Sequence, residues 1–223
     1  MIWLLPRKTI PAVALLLFAV GAVRAQQPVE PNPGLQEPKK ANERAEPARP
    51  AEPFDDASVD ELAGHCVSLE TELGTIEIGM LAEMAPEAVR NFLNLASLGA
   101  FDSTSFSRIV PGFVVQGGNM STHQNLTQEL YQRSQKTVPD EPSIVKHVRG
   151  ILSLARPDEP NSASSHFFIL VGDGPHLDGK FSAFGKVLGG MEVADQINKA
   201  PATGEKPDQP VRIQRALVKR CVK

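Results

Sequence analysis

The stretch 106–119, FSRIVPGFVVQGGN, sets an arginine, a glutamine and a pair of glycines among β-branched and aromatic residues. It reads as two short strands, about 106–110 and 113–116, joined at Pro111-Gly112, since a turn dipeptide between apolar runs is a hairpin signal. Arg108, Gln116, Gly117 and Gly118 are too few and too unlike surface filler to be an ordinary solvent face. A guanidinium does not deprotonate in a protein, so Arg108 can act only as a fixed charge with directed N–H donors. A two-residue turn would pair Arg108 with Val115, so the hairpin alone does not bring Gln116 to the arginine.

Other chemistries fail on spacing. The five histidines (His65, His123, His147, His166, His176) and two cysteines form no HxxxH or CxxC arrangement, and no metal or other cofactor is expected. Gly172-Asp173-Gly174 follows a strand-like run, but the third glycine of a dinucleotide loop would fall at Leu177, where no helix opens. SASSH, 162–166, places serines beside a histidine without a GxSxG elbow, and neighbours on a strand face opposite ways, so nucleophilic hydrolysis is not indicated.

The elements that position these residues follow from periodicity. Residues 66–71 and 74–80 alternate polar and apolar around a turn at 72–74, as two half-buried strands do. In MAPEAVRNFLNLASLG, Pro86 suits a first helical position, Val89, Phe92, Leu93 and Ala96 recur at helical spacing, and Gly99 suits the stop. A polar stretch without period, 121–146, precedes strands near 150–155, 166–171 and 182–188, a helix at 191–198 and a last strand near 211–222. Many short strands and two helices in one domain predict a mainly β barrel or sandwich.

Two N-terminal segments stand outside that domain. Arg7 and Lys8 precede the apolar run 12–23, twelve residues against the roughly 20 needed to span a bilayer, and Val23-Arg24-Ala25 offers a cleavage site. Residues 1–25 therefore read as a signal peptide, and the mature chain is expected outside the cytoplasm, in a periplasm or the extracellular space, with no membrane attachment. Residues 26–57 hold seven prolines, seven acidic and four basic residues and few large apolar side chains, the composition of a disordered linker. That leaves 58–223 as the folded domain. With 23 basic and 26 acidic residues in the whole chain, no basic field points to nucleic acid.

Three stretches, FSRIVPGFVVQGGN, GILSLARPDEPNSASSHFFI and HLDGKFSAFGKVLGGMEV, resemble in order and spacing the signature blocks of the cyclophilin family of peptidyl-prolyl isomerases. APEAVRNFLNLASLGAFDSTSF resembles the family's first helix and the turn after it, and the resemblance spans about 66–222, with secreted bacterial members nearest in character. It implies an eight-stranded antiparallel barrel capped by two helices, with the active site on the outer surface. It implies catalysis by Arg108, a proline slot from Phe113, Val114, Phe168 and Leu177, and Gln116 fixing both arginine and substrate backbone. Ala155 and Arg156 match the edge that pairs with an extended peptide, His166 stands where a glutamine is usual, and His176 and Phe181 border the slot where a tryptophan and a histidine occur. Ser107 and Val114 replace a histidine and a methionine. These departures bear on substrate preference more than on the reaction.

The function expected from this resemblance is X–Pro isomerisation assisting the folding of exported proteins, by a monomer acting on proline-containing peptides and unfolded chains. The alternative is a related module that grips such peptides without useful turnover. In the implied barrel, the first and last strands are antiparallel neighbours. That brings Cys66 and Cys221 together as an opposed, outward-facing disulfide pair with no part in catalysis.

Overall fold

The computed structural model describes residues 51–221, so the signal-peptide reading and residues 26–50 of the linker reading lie outside the described residues. Alternation organises the first hairpin. In β1 (His65–Thr71) and β2 (Gly74–Met80), Val67 opposes Ile78 and Leu69 opposes Ile76, all fully buried. The helix α2 (Pro86–Ser97) starts on Pro86 and buries Val89, Phe92, Leu93 and Ala96 as one face. It lies over a barrel core in which the Phe92 ring meets those of Phe101, Phe167 and Phe184 at centroid distances of 5.0, 5.3 and 4.9 Å.

The strands β3 (Arg108–Val110), β4 (Val114–Gly117), β5 (Ile151–Leu154), β6 (Phe167–Leu170), β7 (Ala183–Gly189) and β10 (Ile213–Arg220) complete an eight-stranded antiparallel sheet. A two-stranded hairpin, β8 (Ala202–Thr203) and β9 (Lys206–Pro207), forms a separate small sheet whose turn meets β3. The sheet order is β10-β1-β2-β7-β5-β6-β4-β3. It curls until its ends are bridged at Ser105 and Arg212, with Phe106 N–H donating to the Val211 carbonyl and Ile213 N–H to that of Thr104. β5 and β6 are buried on both faces. In β6, Phe167 and Ile169 enter the barrel core, while Phe168 and Leu170 enter a second apolar cluster outside it.

Three expectations need correction. Two capping helices were expected; among the described residues there are four, α2, α4 (Met191–Asn198), α1 (Val59–Ala63) and α3 (Gln128–Ser134). The last two are too short for a periodic signal and are held by side-chain caps from Ser58 and Thr127. The linker does not extend to 57. Phe54 is 8% exposed and packs with the core, its N–H donates to Asn94 Oδ1 at 2.8 Å, and Arg90 binds the carbonyls of Phe54, Asp55 and Ala57. Glu52 is ion-paired to Arg133 with both side chains buried, so residues 52–57 form a strap on the domain.

The hairpin register brings Gln116 to Arg108, as the resemblance implied and a two-residue turn would not. Arg108 lies opposite Gln116 and Val110 opposite Val114, because the loop has three residues, Pro111-Gly112-Phe113, with Gly112 at φ +71°. Finally, the Cys66–Cys221 disulfide joins residues that are not directly opposed. Cys66 pairs with Lys219, and Cys221 lies past the strand end at a Cα–Cα distance of 5.1 Å. Cys66 faces away from the barrel core beside Ser68, yet is 4% exposed.

Candidate active site

A single row of residues crosses five strands on the outer face of the sheet. Arg108 is opposite Gln116, Gln116 opposite Phe168, Phe168 opposite Ser153, and Ser153 opposite Ala183. Alternation sends Ile109, Val115 and Ile169 into the barrel and leaves this row outside. With strands about 4.8 Å apart, Arg108 lies roughly 10 Å along the row from Phe168.

The polar end is a chain of contacts. Arg108 Nη1 donates to Gln116 Oε1 at 3.3 Å. Since a guanidinium only donates, this fixes the amide orientation and turns Gln116 Nε2 to His166 Nδ1, 3.4 Å away. His166 Nδ1 must then accept, so the ring is neutral with its proton on Nε2. Burial holds its pKa below the ordinary histidine value. On its other edge Arg108 meets Glu205, Nε at 2.6 Å and Nη2 at 3.1 Å from the two carboxylate oxygens. Gly118 closes β4 at φ +79°; a Cβ there would lie 2.1 Å from the Ser165 carbonyl oxygen, so only glycine lets the strand end come so close to the residues before β6.

The apolar end is the second cluster. Val114, Phe168, Leu177, Leu170, Ile151 and Ala183 are buried in it, with Phe113, Phe181, Val110 and Ala155 packed at its margin. The Phe113 ring tilts against His176 at 5.3 Å, and Phe168 meets Phe181 edge-on at 6.0 Å. Half-buried Phe113 and Phe181 and exposed His176 make the rim of an apolar slot. Ala155 follows β5, an interior strand, and its N–H is already committed to the His166 carbonyl at 2.9 Å, so that group offers no free edge to a peptide. Arg156 reaches the slot only at its rim. It pairs with Asp140 at 3.0 Å, binds the carbonyls of Pro157 and Asp158, and lies over the Phe181 ring at 5.3 Å.

Two polar groups brace the slot, and the sequence reading gave neither Asn198 nor His147 a part in it. Asn198, in the last turn of α4, accepts from Gly112 N–H and donates to the carbonyls of Val110 and Val114, pinning both sides of the hairpin loop. A polar residue in the stripe Val193, Ala194, Ile197, Asn198 was the available signal. Under Leu177, Asp178 Oδ1 accepts from the His147 backbone N–H at 2.8 Å and faces His147 Nδ1 at 3.2 Å, while Ser153 Oγ meets His147 Nε2 at 3.0 Å. Burial lowers the His147 pKa against the pull of Asp178, and Asp178 is itself held below the usual carboxylate range, chiefly by that backbone N–H. Ser, His and Asp stand in the order of a nucleophilic triad. But Ser153 is 0% and His147 1% exposed, so no carbonyl can reach the hydroxyl and the group serves to hold the turn. Glu205 was also missed; nothing local marks an acidic residue 97 positions from its partner.

The row therefore sets an apolar cluster with a half-exposed aromatic margin beside directed, charge-assisted donors, without an exposed nucleophile in the row. The model of the family described as cyclophilin type peptidyl-prolyl cis-trans isomerase/CLD matches residues 66–218. A peptidyl-prolyl cis-trans isomerase named CYP23 from Arabidopsis thaliana is 37% identical over 147 residues, 65% of this chain and 65% of its own length. Peptidyl-prolyl cis-trans isomerase A of Dickeya dadantii is 36% identical over 162 residues, 68% of this chain and 83% of that one. A Cryptosporidium parvum cyclophilin type peptidyl-prolyl cis-trans isomerase, solved in the presence of the dipeptide Ala-Pro, superposes with a TM-score of 0.61 at 29% identity, covering 70% of this chain and 99% of that one. The chain belongs to the cyclophilin-type peptidyl-prolyl cis-trans isomerases.

Proposed function

We propose that this chain accelerates rotation about X–Pro peptide bonds with Arg108 as its catalytic residue. Amide resonance sets a barrier of about 18–20 kcal/mol and makes the uncatalysed step take tens to hundreds of seconds. In the twisted state the conjugation is lost and the prolyl nitrogen regains a lone pair. The ring of the substrate proline enters the slot of Phe113, Val114, Phe168 and Leu177, which holds one side of the bond while the acyl side turns. Arg108 then donates to the prolyl nitrogen more strongly in the twisted state than in the planar one, and only such a difference lowers the barrier. Gln116, oriented by His166, steadies the guanidinium. The observation that carries this reading is the guanidinium anchored by Gln116 in the same cross-strand row as the apolar cluster.

The N-terminal composition supports a folding catalyst for exported proteins, acting as a monomer in a periplasm or the extracellular space. Its clients are unfolded chains presenting proline in extended segments. Arg108→Ala is expected to lower kcat/KM on an Ala-Pro peptide by on the order of 10²–10³, the loss seen when one donor to a transition state is removed, with an unchanged melting temperature. A folded Arg108→Ala protein that turns over like wild type would assign the chain to peptide binding without catalysis.

A further inference from the structure

We infer that Glu205 is the positioning residue for Arg108, a role that rests on Arg108 being the catalytic donor. Glu205 sits in the turn between β8 and β9, beside Gly204 at φ +63°, and its place is fixed twice. Its backbone carbonyl accepts from Ile109 N–H at 2.8 Å, docking the turn on β3 next to the arginine. Its carboxylate then engages Arg108 side-on, one oxygen at Nε and the other at Nη2.

The choice of edge decides what the pair does. An arginine has five N–H donors. Glu205 takes the Nε hydrogen and one on Nη2, and Gln116 takes one on Nη1. One hydrogen on each terminal nitrogen remains for substrate, so the carboxylate leaves the outward donors available. Without it, a side chain with four rotatable torsions would be held by the single 3.3 Å contact to Gln116. The side chains are 41% and 55% exposed, so the pair adds little to stability, but its planar fork sets the guanidinium plane. The group to be stabilised is a neutral lone pair rather than an anion. Aim therefore matters more than net charge, and partial neutralisation by Glu205 costs the reaction less than misalignment would.

The test is a double-mutant cycle read by NMR exchange on an Ala-Pro peptide, with turnover measured at saturation and KM measured separately. Glu205→Ala is expected to lower kcat by about 3- to 10-fold with KM within about 2-fold, and Glu205→Gln, which keeps one acceptor, to fall between that and wild type. Combined with Arg108→Ala, the Glu205 substitution should add no further loss, because it acts only through the guanidinium. Unchanged or faster turnover in Glu205→Ala overturns the inference, as does a loss confined to KM or one that persists in the Arg108→Ala background. Circular dichroism melting checks the fold, and Glu205→Gln carries the test if the alanine variant does not fold. Wild-type turnover by Arg108→Ala instead removes the catalytic role of Arg108 itself, an outcome read from a different variant.

Discussion

Three of the five N–H donors of Arg108 are engaged inside the protein, and one of those contacts is set by the protonation of a ring two residues along the relay. Protonating His166 puts a hydrogen on Nδ1, opposite the Gln116 amide hydrogens. The amide must then rotate and present N–H groups to a guanidinium that cannot accept them. Burial lowers the His166 pKa from 6.5, so the neutral, competent form is complete above that value and is lost as pH falls through the lower folded value. Stability follows the same sign: the unfolded ring takes its proton first, so folding weakens on acidification below 6.5. kcat/KM is expected to fall as the pH drops below 6.5 and through the lower folded value. His166→Gln, whose carbonyl accepts at any pH, should flatten that limb of a pH–rate profile. An unchanged inflection would detach His166 from the relay. At this scale the motif made Arg108, Phe113, Gln116 and Phe168 legible because they fall in one local block or its strand partner. Glu205, Asn198 and His147 were not legible. Their partners lie far along the chain, apart from Ser153, and a lone acidic or amide residue carries no periodic signature.

Among elements, strands with clean alternation and the two helices with apolar stripes could be read directly. The hairpin register could not, since Pro-Gly is compatible with a loop of two residues or three, and the difference moves Gln116 from beside Arg108 to its diagonal. The strap at 52–57 was hidden for another reason. Phe54 is one aromatic in a proline- and glutamate-rich run, and composition averages it away. Its contribution is testable, because Arg133 is buried and Glu52 is its carboxylate partner. Glu52→Ala leaves that charge uncompensated, which costs about 3–5 kcal/mol and should lower the melting temperature by roughly 10 °C. Calorimetry that finds the two proteins melting within about 2 °C would show the strap to be incidental.

For the molecule as a whole, the barrel closes between β10 and the residues before β3, and the disulfide lies where β10 ends beside the start of its neighbour β1. Cys66 and Cys221 are 155 residues apart, so in the chain-entropy model their bond stabilises the fold by about 5 kcal/mol. Replacing both with serine is expected to lower denaturant stability by up to that amount while leaving kcat/KM unchanged. Parallel losses of stability and activity would mean the bridge reaches the row from Arg108 to Ala183. The resemblance placed this pair, and the error was in register: Cys221 reaches Cys66 from beyond the last ladder pair, a detail set by where β10 stops.

That bridge also determines how the molecule bears tension. A pull applied between a point before Cys66 and the end of the chain runs through the sulfur bridge, which shunts the load past every residue in between. The row from Arg108 to Ala183, carried wholly inside the bridged loop, stays slack. The strap at 52–57 lies outside it and takes the full force, peeling away first. The chain can thus be drawn taut at its ends and keep its working surface in shape.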